Sequence, residues 1–166
     1  MLRKSEQSYR MVIENIRDSA IFSLDRDGYV TSWNVGARRV LGFPAGEALG
    51  KHYSMFFTPE DNNGGLPQKA LETALRLGKF EAEGWRVRKD GTRFWANTLL
   101  SPFKNDNGEL QGYTKLVRDF TSRREAEQAL KESEARFRSI FEFGAMGIAL
   151  LDLNGNLLLT NPSLQK

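Results

Sequence analysis

At 166 residues the chain has room for one compact domain plus a helical extension or part of a second domain, which excludes a long multidomain enzyme. Its 40% apolar and 27% charged residues describe a soluble globular protein, and 24 basic against 21 acidic residues leave a net charge of only +3. With no cysteine and one histidine, disulfides, thiolate nucleophiles, cysteinyl metal sites and multi-histidine centres are excluded.

In chain order, Tyr9, Val12, Ile13 and Ile16 make one apolar face of a helix over residues 5–17, after a short N-terminal helical extension at 1–8. Ala20 to Leu24 alternates as a strand, Asp25-Arg26-Asp27-Gly28 turns, and Tyr29 to Trp33 returns as a second strand. Asn34 is a capping residue for a short helix from Val35 to Leu41, which stops at Gly42. Thr58-Pro59 reads as a helix start, and Ala70, Leu71, Ala74, Leu75 and Leu77 set the spacing of the longest helix inside the domain, ending at Gly78.

From Phe80 onward the pattern changes to three strands: Ala82 to Arg88, Thr92 to Pro102, and Leu110 to Phe120, joined by turns at Lys89-Asp90-Gly91 and Asn105-Asp106-Asn107-Gly108. Trp85 and Trp95 face each other across the first of these turns. Residues 122–137 are a charged helical or coiled-coil linker, with Ala126, Leu130 and Phe137 on a narrow apolar stripe. The fold class is α+β, an antiparallel sheet with helices on one face.

Beyond the linker the chain repeats itself. Phe137 to Glu142 echoes Tyr9 to Glu14, and Asp152-Leu153-Asn154-Gly155 with Asn161 echoes Asp25-Arg26-Asp27-Gly28 with Asn34. Residues 138–166 therefore read as the truncated start of a second copy of the first domain.

Asp25-x-Asp-Gly28 followed by Trp33-Asn34, Leu41-Gly42-Phe43, Leu49-Gly50-Lys51, Arg88-Lys89-Asp90-Gly91-Thr92 and Arg118-Asp119-Phe120-Thr121 together resemble a PAS domain with its C-terminal PAC motif, from a bacterial sensory protein. The resemblance covers residues 9–121. It implies a five-stranded antiparallel sheet in the order 2-1-5-4-3, with a pocket between the inner sheet face and the helices. It also implies a sensory or regulatory module that binds a small ligand or mediates dimerisation. The signal would run through the C-terminal helix to a downstream histidine kinase or cyclic-di-GMP (GGDEF) enzyme.

The pocket candidates are Phe22, Leu24, Phe43, His52, Phe56, Leu71, Leu75, Ala96, Thr98, Leu100, Tyr113 and Val117. Asp119 and Thr121 are the relay candidates, with Thr121 also readable as a plain helix cap. Tyr9, Ile13, Ala126, Leu130 and Phe137 are the seam of an expected homodimer.

Light-sensing relatives carry a reactive cysteine where this chain reads Gly50-Lys51-His52-Tyr53, and haem relatives place a histidine on the long helix, where Leu66 to Leu77 has none. No covalent chromophore, FAD or haem is expected, and no metal; an unknown small apolar ligand fits the family. A non-covalent flavin or haem sensor of redox state or gas stands as the alternative. No residue pattern supports a catalytic role. Neither nucleic acid nor membrane is an expected partner of these residues: the basic runs are short, and no window approaches the ~20 apolar residues of a membrane span. The absence of a secretory leader fits a cytoplasmic location.

Overall fold

The computed structural model describes residues 17–164. The expected 1–8 extension and the apolar face from Tyr9 to Ile16, with Tyr9 and Ile13 of the seam, lie outside the described residues. The chain divides at Thr121 into two compact units.

The first unit contains β1 (Ala20–Leu24), α1 (Val35–Leu41), α2 (Ala45–Ala48), a 3-10 turn (Tyr53–Phe56), α3 (Pro59–Asn63), α4 (Leu66–Leu77), β2 (Phe80–Val87), β3 (Arg93–Lys104) and β4 (Leu110–Asp119). The strands form one antiparallel sheet in the order β1-β4-β3-β2. Phe22 pairs with Lys115, Lys115 with Leu100, and Leu100 with Phe80, so these four residues cross the sheet in one row. Side chains alternate across a strand, and the burial of Ala20, Phe22 and Leu24 and of Phe94, Ala96, Thr98 and Leu100 marks the inner face.

The sheet has four strands where five were expected, and β1 lies at its end in place of the interior. Tyr29 to Trp33 forms no strand, because its backbone groups are engaged elsewhere. Val30 N–H donates to the Lys51 carbonyl at 2.9 Å, and Gly50 N–H donates to the Val30 carbonyl at 2.8 Å. Ser23 N–H goes to the Ser32 hydroxyl at 2.9 Å, which interrupts the backbone ladder. What survives beside β1 is the single bridge Leu24–Val30 and the bond from Thr31 N–H to the Ser23 carbonyl, 2.8 Å.

Asn34 ties this region together. Its Oδ1 accepts from Ala37 N–H at 2.7 Å, capping α1, and from Ile21 N–H at 3.0 Å, while its Nδ2 donates to the Ser19 carbonyl at 3.3 Å. Asp25 Oδ1 closes the turn before it by accepting from Asp27 and Tyr29 N–H, each at 2.9 Å. Gly28 sits in that turn at φ +92°, and a Cβ there would come within 2.7 Å of His52 Nε2, so glycine is required twice over.

The second unit comprises the helix α5 (Thr121–Phe143), whose first residue is the last of the first unit, and a hairpin of β5 (Ala149–Leu151) and β6 (Leu157–Thr160). The helix runs six residues past the expected linker end at 137, through Phe141, which is buried. Asn161 Oδ1 accepts from Ile148 and Leu164 N–H at 2.7 and 3.1 Å, and its Nδ2 donates to the Met146 carbonyl at 2.9 Å. Asp152 Oδ1 accepts from Asn154 and Asn156 N–H at 2.8 Å each. Each of these bonds reproduces one made by Asn34 or Asp25 in the first unit.

Candidate ligand pocket and the root of the C-terminal helix

Phe22, Leu24, Phe56, Leu71, Ala96, Leu100, Tyr113 and Val117 belong to one buried core between the inner sheet face and the helices, with Phe43 half-buried at its edge. Thr98 is buried among them, its hydroxyl donating to the Ala82 carbonyl at 3.1 Å. The aromatic part is continuous: Phe22 lies 4.9 Å from Trp33 and 5.5 Å from Phe56, and Phe43 meets Phe56 at 5.6 Å.

Leu75 is the exception. It is 44% exposed and lines no part of this core. The buried arc of α4 is Pro67, Ala70, Leu71 and Ala74. At about 100° per residue Leu75 falls on the edge of that arc, within the last turn of the helix.

His52 caps the 3-10 turn. Its Nε2 lies 3.1 Å from the Asp27 carbonyl, which only accepts, so Nε2 carries the proton and Nδ1 receives the Ser54 hydroxyl at 2.8 Å. Both ring nitrogens are thus engaged by the protein. The ring packs between Tyr29 and Tyr53 at 5.2 and 5.3 Å.

Two buried cations were not anticipated from the sequence. Lys115 projects inward between Tyr113 and Val117 on β4, 2% exposed, and its Nζ has no hydrogen-bond partner. Arg86, also 2% exposed, projects from β2. Its Nη1 donates to the Trp85 carbonyl at 2.6 Å and reaches Asp61 at 3.5 Å, but its Nε is unpartnered. The Phe57 ring serves both, with the guanidinium 4.2 Å and the ammonium 5.9 Å from its centroid; Tyr53 lies 5.9 Å from the ammonium.

Desolvation, then the neighbouring Arg86 charge, brings Lys115 down to about 7. Desolvation also lowers Arg86, against the pull of Asp61 and Tyr53. Arginine is the stronger base by far, so Arg86 keeps its proton and Lys115 is the group that yields. Burial raises the phenols of Tyr53 and Tyr113.

At the end of β4, Asp119 joins that strand to α5. Its Oδ2 pairs with Arg88 Nη2 at 2.5 Å, and its Oδ1 accepts from Thr121 N–H at 2.9 Å. Burial pushes its carboxyl up, but the hydrogen bonds from Thr121 and Arg88 outweigh this and hold it below the usual range. Arg88 also donates to the Val40 carbonyl near the end of α1 and stacks on Phe94 at 4.1 Å.

Thr121 is not the simple cap that its position suggested. It is the first residue of α5, and its hydroxyl accepts from Trp95 N–H on β3 at 3.0 Å. Asp119 performs the capping. Phe120 N–H adds a bond to the Trp95 carbonyl at 2.7 Å, so the root of α5 is fastened to the sheet.

Among the described residues, no group of three or more His, Asp or Glu is placed to hold a metal ion. No helix there is long and apolar enough to cross a membrane.

Residues 18–122 match the PAS domain family. The chain belongs to that family. The fold agrees: a PAS domain from Colwellia psychrerythraea superposes with a TM-score of 0.66 at 22% identity, covering 71% of this chain and 98% of that one. Among curated proteins, two-component system protein A of Emericella nidulans is 41% identical over 138 residues, which are 81% of this chain and 20% of that protein. Sporulation kinase C of Bacillus subtilis is 26% identical over 132 residues, 80% of this chain and 30% of that protein. The chain thus spans about a fifth to a third of these relatives, and its PAS domain is homologous to the sensor regions of two-component histidine kinases.

Proposed function

We propose that this PAS domain reads a small ligand on the inner face of its sheet and passes the resulting change through Asp119 and Thr121 into α5, which biases a downstream histidine kinase. The observation that carries the reading is the fastening of α5 at its root. Arg88 links Asp119 to the end of α1, and Thr121 is bonded to β3, so a shift of the sheet or of α1 is transmitted to the first turn of the output helix. The relatives support a kinase as the output; a cyclic-di-GMP enzyme has no such support.

The test is a chimera in which this chain replaces the matching segment of sporulation kinase C, with autophosphorylation as readout. Asp119→Ala removes one ion pair and one cap and should cost about 1 to 2 kcal/mol of stability. It should also abolish the regulated part of kinase activity while basal phosphorylation persists. Regulation that survives Asp119→Ala would remove the relay.

Residues 138–164 form, in this reading, the opening of a second PAS domain. Support comes from the Asn161 and Asp152 bonds, which repeat those of Asn34 and Asp25. A homodimer through the flanking helices is the accompanying proposal: on α5, Ala126 is exposed, Leu130 is 60% exposed and Phe137 55%, a stripe suited to a second copy. Leu130→Glu should convert a dimer to a monomer in light scattering at tens of micromolar. A dimer that withstands the charge would place the interface elsewhere.

A further inference from the structure

The Phe57 ring is shared by two buried basic side chains, and the core answers the charge of one. The Arg86 guanidinium lies 4.2 Å from the ring centroid and has Asp61 at 3.5 Å, so its charge is paired. Lys115 Nζ lies 5.9 Å from the same centroid and has no hydrogen-bond partner. The groove of about 400 Å3 beside Arg86, lined also by Thr58, Glu60, Asp61 and Glu83, does not extend to Lys115. The inner face is therefore balanced while the amine is neutral and carries one unanswered charge once it is protonated.

The other groups around the amine leave this balance unchanged near neutral pH. From β4, Tyr113 shares its face, and from the 3-10 turn the Tyr53 ring lies 5.9 Å away; burial raises both phenols, which stay neutral. β1 and β3 place Phe22 and Leu100 beside it, and the charged residues of α4, Lys69, Glu72 and Arg76, are exposed. His52 caps the 3-10 turn and packs on Tyr53 with both ring nitrogens engaged; as a histidine it is the competing group near neutral pH.

A charged ammonium without an acceptor opposes a closed core, so its protonation has to be met by letting water in. The element placed to yield is the segment from Tyr53 to Asn63. It is tied to the sheet by the bridge between Phe57 and Arg86, by the Asp61 pair, and at the surface by Glu60 to Arg93 at 3.1 Å. Two of these ties run through Arg86, which a second cation repels. Burial and Arg86 bring the amine down to about 7, which sets the exchange near neutral pH.

From this arrangement we infer that Lys115 is a proton switch in the PAS core: neutral, it lets Phe57 and Asp61 seat on β2; protonated, it unseats the segment that carries them and admits water to the amine. The switch rests on the sensory reading above for its output and adds the proton as a stimulus. Arg86 stands two residues before Arg88, and Lys115 four before Asp119, so both strands lead to the ion pair that roots α5.

The test is NMR spectroscopy on the full chain between pH 6 and 8.5. The Lys115 Cε resonance reads protonation, and nuclear Overhauser contacts from the Phe57 ring read position. The resonance should titrate with a midpoint of about 7. Contacts from Phe57 to Arg86 should lose at least half their intensity by pH 6, with the same midpoint, while those between β3 and β4 persist. In Lys115→Met, which removes the amine at nearly constant volume, the Phe57 contacts should be equal at both ends of the range.

An amine that does not titrate in this range, or Phe57 contacts that do not follow it, would overturn the switch. So would a pH response that survives Lys115→Met, which would pass the role to His52, and a loss that takes the β3 and β4 contacts with it, which would be unfolding. None of these results touches the Asp119→Ala experiment on the chimera, whose own failure would remove the relay and leave the titration standing.

Discussion

Replacing Phe22 by alanine is expected to lower the unfolding free energy by about 3 to 5 kcal/mol, the cost of lost transfer energy plus the cavity left behind. Phe22 is 1% exposed in the middle of β1, in a triangle of rings with Trp33 and Phe56 at 4.9 and 5.5 Å. The surroundings are poorly placed to collapse into the gap. Trp33 is held by its indole N–H, which donates to the Phe43 carbonyl at 2.9 Å, and Phe56 lies in the 3-10 turn that His52 caps. Urea melts of the full chain would measure the effect. A loss under about 1 kcal/mol would mean that Phe22 borders open space and contributes little packing.

Strand alternation and turn chemistry made most of this fold legible in the sequence. Ala20 to Leu24 coincides with the observed strand, and Thr92 to Pro102 and Leu110 to Phe120 differ from theirs by one or two residues at the ends. The fifth strand failed for a reason that local pattern does not carry. Val30 alternates correctly, but its backbone partners, Gly50 and Lys51, come from a distant segment. Leu75 failed because helical spacing locates an apolar stripe and not its edge.

The candidate site was legible on its apolar side alone. Lys115 and Arg86 were passed over because a charged residue in a strand reads as solvent-facing, yet parity held the signal. Lys115 lies between Tyr113 and Val117, both assigned inward, and Arg86 shares a face with Ala82 and Gly84. Applying the alternation without regard to charge would have placed both inside.

Lys115→Met is expected to stabilise the ligand-free protein at pH 7, by on the order of 3 kcal/mol, because it removes a buried and unpartnered cation while keeping the volume. The pH dependence distinguishes this from ordinary repacking. Burial and Arg86 lower the amine from 10.5 to about 7 in the folded state. Between those values the unfolded chain holds a proton that the folded chain has released, so stability rises with pH by up to about 1.4 kcal/mol per unit. Below about 7 both states are protonated, and the penalty is present in full.

The other groups around the amine do not interfere in that window. Arg86, paired with Asp61 at 3.5 Å, remains charged, and the phenols of Tyr53 and Tyr113, pushed up by burial, stay protonated in the folded protein. The unfolded tyrosines begin to ionise near pH 10, which would reverse the slope, so denaturant melts between pH 7 and 9.5 isolate the lysine. The unmodified protein should gain stability across this range and Lys115→Met should stay flat, the difference between them narrowing as the pH rises. Parallel lines would show that Lys115 keeps its proton in the folded core. An amine that keeps its proton there must have found an acceptor within the folded core.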